Sequence, residues 1–258
     1  MQKEIPAILY KYRDWSDSNH RKLLTDRELW FSSPKGFNDP FDTKLRVSYD
    51  SLSDQEMRLM LYKKLRLHAP AMSDEAVRQQ VEKRLVELRN PAFLKQLHDV
   101  NYEQAAAFFG FVSLAEEATT ILLWSHYARS HAGFVIGFNT QKLHKDVGGE
   151  FTRVAYQPAY PPILPGLGGE DDMRELMEVL NTKAAPWEYE KEVRITKPQA
   201  SNKAMKFRPE SVAQIIIGCN TSAAHKQEIV EAAQGFPQAS LWQAVISESA
   251  FAVNLHPV

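Results

Sequence analysis

The sequence predicts an α+β fold: a mixed, mostly antiparallel sheet interrupted by a helical insertion at about residues 51–109. Three observations carry that expectation. Short segments near the start alternate apolar and polar residues, the middle of the chain repeats apolar residues at helical spacing behind capping residues, and the tail reads strand, helix, strand, strand.

Ile8, Tyr10 and Tyr12 alternate with other residues, as in a short strand, and residues 14–19 supply turn and capping side chains before a short helix over residues 21–26. Leu29, Trp30 and Phe31 favour a second strand, and Ser32, Ser33, Pro34, Gly36, Asn38, Asp39 and Pro40 mark an ordered loop. In the insertion, Ser53 with Glu56 forms a capping box ahead of Met57, Met60, Leu61 and Leu65. Ser73 caps a second helix with the stripe Val77, Val81, Leu85 and Leu88. Asn90 and Pro91 open a third, through Leu94, Leu97, Asn101 and Phe108.

Residues 111–113 suit a short strand, and Ser113 with Glu116 predicts a capping box for the helix carrying Leu122, Leu123, Trp124 and Tyr127. His131, Ala132 and Gly133 turn the chain into a strand over residues 134–138. Prolines and glycines over residues 156–169 predict a surface loop with the composition of a lid. A helix over residues 171–183, ended by Pro186, precedes a strand over residues 190–196. The tail predicts a strand at 212–217, a helix at 221–234 capped by Gly235, and strands at 241–246 and 251–255. No repeat or flexible linker is visible, so one domain spanning residues 1–258 is expected, with the insertion packed on the α/β core.

With 258 residues, 44% of them hydrophobic and 24% charged, the chain can bury a sizeable core, which excludes global disorder. The lone cysteine, Cys219, allows no intramolecular disulfide; a cytoplasmic protein is expected, and a buried inert thiol is the plain reading of that residue. Residues 1–13 hold no continuous apolar stretch after the early lysine, and no apolar run approaches a bilayer span, so neither a secretion signal nor a membrane segment is expected. A net charge of -1 gives no whole-molecule attraction to nucleic acid, and the basic run Lys63, Lys64 and Arg66 reads as a solvated helix face.

Strand alternation over residues 190–196 puts Glu190, Glu192 and Arg194 on one face and Tyr189, Val193 and Ile195 on the other. Lining a cleft, such carboxylates stabilise an oxocarbenium-like transition state, with Arg194 holding one of them ionised; on an open strand the same residues make cross-strand ion pairs. Ser32 to Phe41 could present hydroxyls, Lys35 and backbone N–H groups to a phosphate, although Asn38 and Asp39 equally suit an Asx turn. His126 is a candidate general acid/base or ribose contact, with a packing role as the alternative. His126 and His131 lack a familiar metal-ligand spacing, and no metal is predicted. Tyr10, Tyr12, Trp124, Tyr127 and Trp187 form an aromatic set able to stack on a base or to fill a core.

The blocks Leu9-Tyr10-Lys11-Tyr12, Leu29 to Pro34 running into Phe37-Asn38-Asp39-Pro40-Phe41, Trp124-Ser125-His126-Tyr127-Ala128, His131 to Phe134 and Trp187 to Ile195, with Ile215 to Gly218, resemble a bacterial family known as domain of unknown function 2971. That resemblance implies a part in bacterial stress or phage-defence systems. The chain is also similar to ADP-ribosyltransferase-like enzymes, which place an Arg or His, then a Ser or Tyr, then a Glu on successive strands. Arg13 or Tyr12, Ser32 with Ser33, and Glu190-Lys191-Glu192 follow that order, while the missing early His and the long insertion depart from it. The similarity implies NAD as substrate, with Glu192 as main carboxylate, Glu190 as helper and His126 as acid/base. The contacts to the nucleotide-like small molecule would then be Tyr10, Tyr12, Arg13, Ser32, Ser33, Asn38, Asp39, Tyr127 and Arg194. Two alternatives stand beside it: a nuclease or other phosphodiester hydrolase using His126, Asp39 and Glu192, and a non-catalytic binding or regulatory module.

Overall fold

The structure, a computed structural model, describes residues 4–166 and 170–258. Along the chain run β1 (Ile8–Arg13), α1 (Ser18–Thr25), β2 (Glu28–Phe31), α2 (Asp54–His68), α3 (Asp74–Leu88), α4 (Pro91–Phe108), β3 (Phe109–Ala115), α5 (Ile121–Tyr127), β4 (Phe134–Asn139) and α6 (Thr140–Val147). There follow β5 (Glu150–Arg153), β6 (Ala155–Gln157), α7 (Glu170–Leu180), β7 (Thr182–Ala184), β8 (Glu192–Pro198), β9 (Lys203–Lys206), β10 (Val212–Ile217), α8 (Ala223–Ala233), β11 (Ser240–Ile246) and β12 (Val253–Pro257). The expected α+β class and mixed, mostly antiparallel sheet are present. Among the described residues no helix is long and apolar enough to cross a membrane.

The chain divides into two compact units. The first comprises residues 4–37, Phe108–Val154 and Pro186–Val258, and the second Asn38–Ala107 and Ala155–Ala185.

The first unit is built on a sheet in the order β12-β11-β10-β4-β1-β3-β8-β5, whose β10 and β11 are parallel and whose other neighbours are antiparallel. Alternation gives the sheet two apolar faces. Leu9, Phe134, Ile136, Phe138, Val193, Ile195, Ile215 and Ile217 belong to one core cluster, with Leu23 and Leu24 of α1, Leu143 and Val147 of α6 and Ile229 of α8. Tyr12, Val135, Ile216 and Ala244 belong to the other, with Leu123 and Trp124 of α5. Each fully buried Leu, Ile, Val or Phe contributes roughly 1.5–3 kcal/mol, so these two clusters hold the sheet.

In the second unit, α2 and α3 bury Met57, Leu61, Val77, Val81, Leu85 and Leu88 between them. Both ends of the Ser53–Glu56 capping box are made, Ser73 caps α3, and Asn90 Oδ1 accepts from the Ala92 and Phe93 N–H groups at 2.9 and 3.3 Å. β6 and β7 pair in parallel.

Several expectations need correction. Ser113 does not cap a helix: β3 continues to Ala115 along β8, Ser113 lies opposite Arg194, Glu116 pairs with Arg153, and α5 starts only after Thr120. A seven-residue ladder satisfies more backbone groups than a local capping box, so the tertiary pairing wins. The helix expected over 171–183 ends at Leu180, because Thr182–Ala184 pairs with β6. Helix α6 and strands β5, β6 and β9 were not anticipated. Cys219 lies in the turn after β10, partly exposed instead of fully buried, and burial still pushes its thiol pKa up. Of the loop expected at 156–169, residues 167–169 lie outside the described residues, as do residues 1–3 of the segment read for a secretion signal.

Candidate functional site

The candidate site forms on the β3–β8 wing of the first unit's sheet. In β8, Glu192 pairs with Ala115 and Arg194 with Ser113, while Thr152 of β5 lies opposite Arg194 on the far side. Glu192 and Arg194 therefore share a face, as strand alternation requires, and Val193 and Ile195 point into the opposite core. Arg194 is 0% exposed and Glu192 3%. The guanidinium Nε donates to Glu192 Oε1 at 2.9 Å and Nη2 to Oε2 at 3.4 Å, a fork on both carboxylate oxygens. The same guanidinium lies 5.3 Å from the Phe37 ring centroid and 5.8 Å from that of Phe111.

Glu190 does not sit on the strand. It ends a 3-10 segment, Ala185–Glu190, and Lys191 between the two acids adopts φ 43°. That left-handed residue turns the chain before β8 begins, so alternation cannot relate Glu190 to Glu192. Glu190 is nonetheless buried, and Tyr127 Oη donates to its Oε1 at 2.7 Å. The open-strand reading of these acids is thus overturned: both carboxylates are covered and each is fixed by a specific donor.

The three sequence blocks meet here. Phe37 brings the first block to Arg194, Tyr127 brings the second to Glu190, and Tyr12 packs edge-on against Trp124 at 5.4 Å. Two further contacts organise the edge of β3. Ser32 exchanges backbone hydrogen bonds with Phe111, both 2.9 Å, whereas β1 meets β3 only at Tyr10↔Ala115. In the stretch between, the Lys11 ammonium donates to the Ser113 carbonyl at 2.6 Å, filling a gap in the ladder. Sequence reasoning missed Lys11, Phe37 and Ser113. A lysine between two tyrosines in the middle of an early strand was the available signal for the first.

The other expected site residues are distributed as follows. Tyr12 is a core residue whose hydroxyl donates to Glu117 O at 2.7 Å, and burial pushes its phenol pKa well up. Half-buried Tyr10 donates to Gln214 Oε1 at 2.9 Å, and desolvation raises it too. Arg13, at the end of β1, reaches the Tyr12 carbonyl at 3.4 Å; burial pulls its guanidinium down to about 10, against the opposing charge of Asp17. Ser33 caps the 3-10 turn Pro34–Gly36 and takes Asn202 Oδ1 on its N–H at 3.1 Å. His126 is exposed on α5, its ring 6.4 Å from that of Tyr189 and 6.3 Å from that of Tyr127.

Asn38 and Asp39 belong to the second unit. Asp39 is buried, and its Oδ1 accepts from the Phe41 N–H at 2.8 Å in the expected Asx turn, while Oδ2 has no hydrogen-bond partner among the described residues.

His131 stacks on Trp124 and its Nε2 lies 3.3 Å from Ser125 Oγ. It closes a run of three left-handed residues, Arg129, Ser130 and His131. Gly133 follows because a Cβ there would stand 2.1 Å from the Arg13 carbonyl oxygen. Among the described residues no group of three or more His, Cys, Asp or Glu side chains is arranged to hold a metal ion.

No curated protein and no solved structure matches the chain. The stretch from α5 to the middle of β8 carries Tyr127, Glu190, Glu192 and Arg194, and it is here that the family resemblance is borne out: residues 123–195 match the family model described as Protein of unknown function (DUF2971).

Proposed function

We propose that the chain is an NAD-consuming enzyme of the ADP-ribosyltransferase-like kind, a transferase or glycohydrolase acting at the nicotinamide–ribose bond. The observation that supports this reading most is the meeting of three sequence-distant blocks around two buried, donor-fixed carboxylates. Fixed charge in a water-poor site stabilises a developing cation far better than the same charge in bulk water.

In this reading the C1′–N bond breaks with its electron pair leaving on nicotinamide, and positive charge spreads over ribose C1′ and O4′. Glu192, held by the Arg194 fork, opposes that charge, and Glu190, oriented by Tyr127, assists. An acceptor nucleophile or water then attacks C1′, and its proton passes to His126; with water the products are ADP-ribose, nicotinamide and a proton. Tyr10, Arg13 and Ser32 supply contacts to the nucleotide. Both acids are almost fully covered, so the ribosyl group reaches them only after their cover opens.

The test is incubation of the purified chain with NAD, alone and with a panel of protein and nucleic-acid acceptors, reading nicotinamide release and transfer of labelled ADP-ribose. Release or transfer that is lost in Glu192→Gln and reduced in Glu190→Gln is the expected result. Neither release nor transfer across the panel, or parental rates in both variants, would overturn the proposal.

A further inference from the structure

The second unit contains a cavity of about 690 Å³, within the range of small-molecule sites. Its floor is apolar, made by Met60, Leu61 and Leu65 of α2, Leu88 of α3, Leu97 of α4 and Ile163.

The rim differs in character. Helical spacing sets Lys64 and His68 of α2 beside Leu61 and Leu65, and α3 contributes Lys83 and Arg84. Two acids, Glu87 and Asp172, also line the cavity. Arg84 takes Glu87 at 2.8 Å, so that pair is closed. Among the described residues Lys64 reaches the Gly166 carbonyl, at 3.4 Å, and Lys83 is exposed and makes no ion pair. Lys64 and Lys83 thus contribute two cations to a cavity whose lining is also rich in leucine.

We propose that this cavity binds an amphipathic anion: an apolar chain or ring system lying on the leucine floor, with one carboxylate, sulfonate or phosphate group between Lys64 and Lys83. The site is separate from the carboxylate pair of the first unit and does not depend on the NAD reading.

The full chain titrated with anilinonaphthalene sulfonate tests it. Saturable fluorescence enhancement is expected, displaced by dodecanoate and not by dodecyltrimethylammonium, which has the same tail and the opposite charge. Lys64→Glu and Lys83→Glu each weaken binding about tenfold, the effect of roughly one rim charge contact. Lys63→Glu, a reversal on the same helix outside the cavity lining, leaves it within about twofold. Leu65→Trp, which fills the floor, abolishes it, with circular dichroism confirming that each variant is folded. No saturable signal, equal displacement by both dodecyl compounds, or equal losses in Lys63→Glu and Lys83→Glu would overturn the proposal.

Discussion

Replacing Arg194 with Met tests whether the β8 ion pair is the structural pivot of the site. Arg194 is 0% exposed, Glu192 is 3% exposed, and the fork between them closes at 2.9 and 3.4 Å. Met fills much of the volume but takes both guanidinium donors from a carboxylate with almost no access to water. Breaking one side of a buried pair costs about 3–5 kcal/mol, because the remaining charge stays desolvated. For a chain of this size that corresponds to a fall in melting temperature of about 6–20 °C. Urea unfolding and thermal unfolding, both followed by far-ultraviolet circular dichroism, measure the free-energy loss and the melting temperature respectively. The double variant Glu192→Leu with Arg194→Met, which removes both charges, is expected to be more stable than Arg194→Met alone. A loss below about 1 kcal/mol in the single variant, or a double variant whose loss equals the sum of the two singles, would refute the reasoning.

Tyr127→Phe removes a 2.7 Å donor to buried Glu190 and is expected to cost about 1.5–3 kcal/mol in the same assay, whereas a change under about 0.5 kcal/mol would show the bond to be dispensable. Burial raises the Tyr12 pKa above 10.0, so the folded state holds that proton more tightly than the unfolded state. Its contribution to stability is complete below about pH 10 and is lost as pH climbs through the higher folded value. Alkaline phenolate absorbance should therefore show a late-ionising group that disappears in Tyr12→Phe; identical titration curves would contradict this.

Local physics explains which parts of the fold were legible. The helices of the second unit announce themselves because a cap and an apolar stripe are both encoded within a few residues, as at Ser53 with Glu56 and along Val77, Val81, Leu85 and Leu88. Strands β5 and β9 do not. Each has four residues and no fully buried position, so nothing in their own pattern distinguishes them from loops, and pairing with β8 and β2 defines them instead. The false capping box at Ser113 fails for the complementary reason: a valid local signal lost to a longer-range ladder.

The site divides along the same line. Tyr127, Glu190, Glu192 and Arg194 stood out in the sequence as residue types, whereas Lys11, Phe37 and Ser113 did not, and the geometry that brings them together was not legible. A two-residue repeat placed Glu190 beside Glu192, and one left-handed lysine, with no glycine to mark it, cancelled that relation. Glu-x-Arg on a strand also reads the same at a surface as in an interior. The distinction is energetic. Val193 and Ile195 fill the opposite core without desolvating a charge, while Glu192 and Arg194 take up comparable space at a desolvation cost of several kcal/mol per ion before their attraction repays any of it. A pair of apolar side chains would close the same space more economically. What the ion pair provides and apolar side chains cannot is a carboxylate fixed in orientation by a two-point donor, the feature on which the proposed NAD chemistry rests.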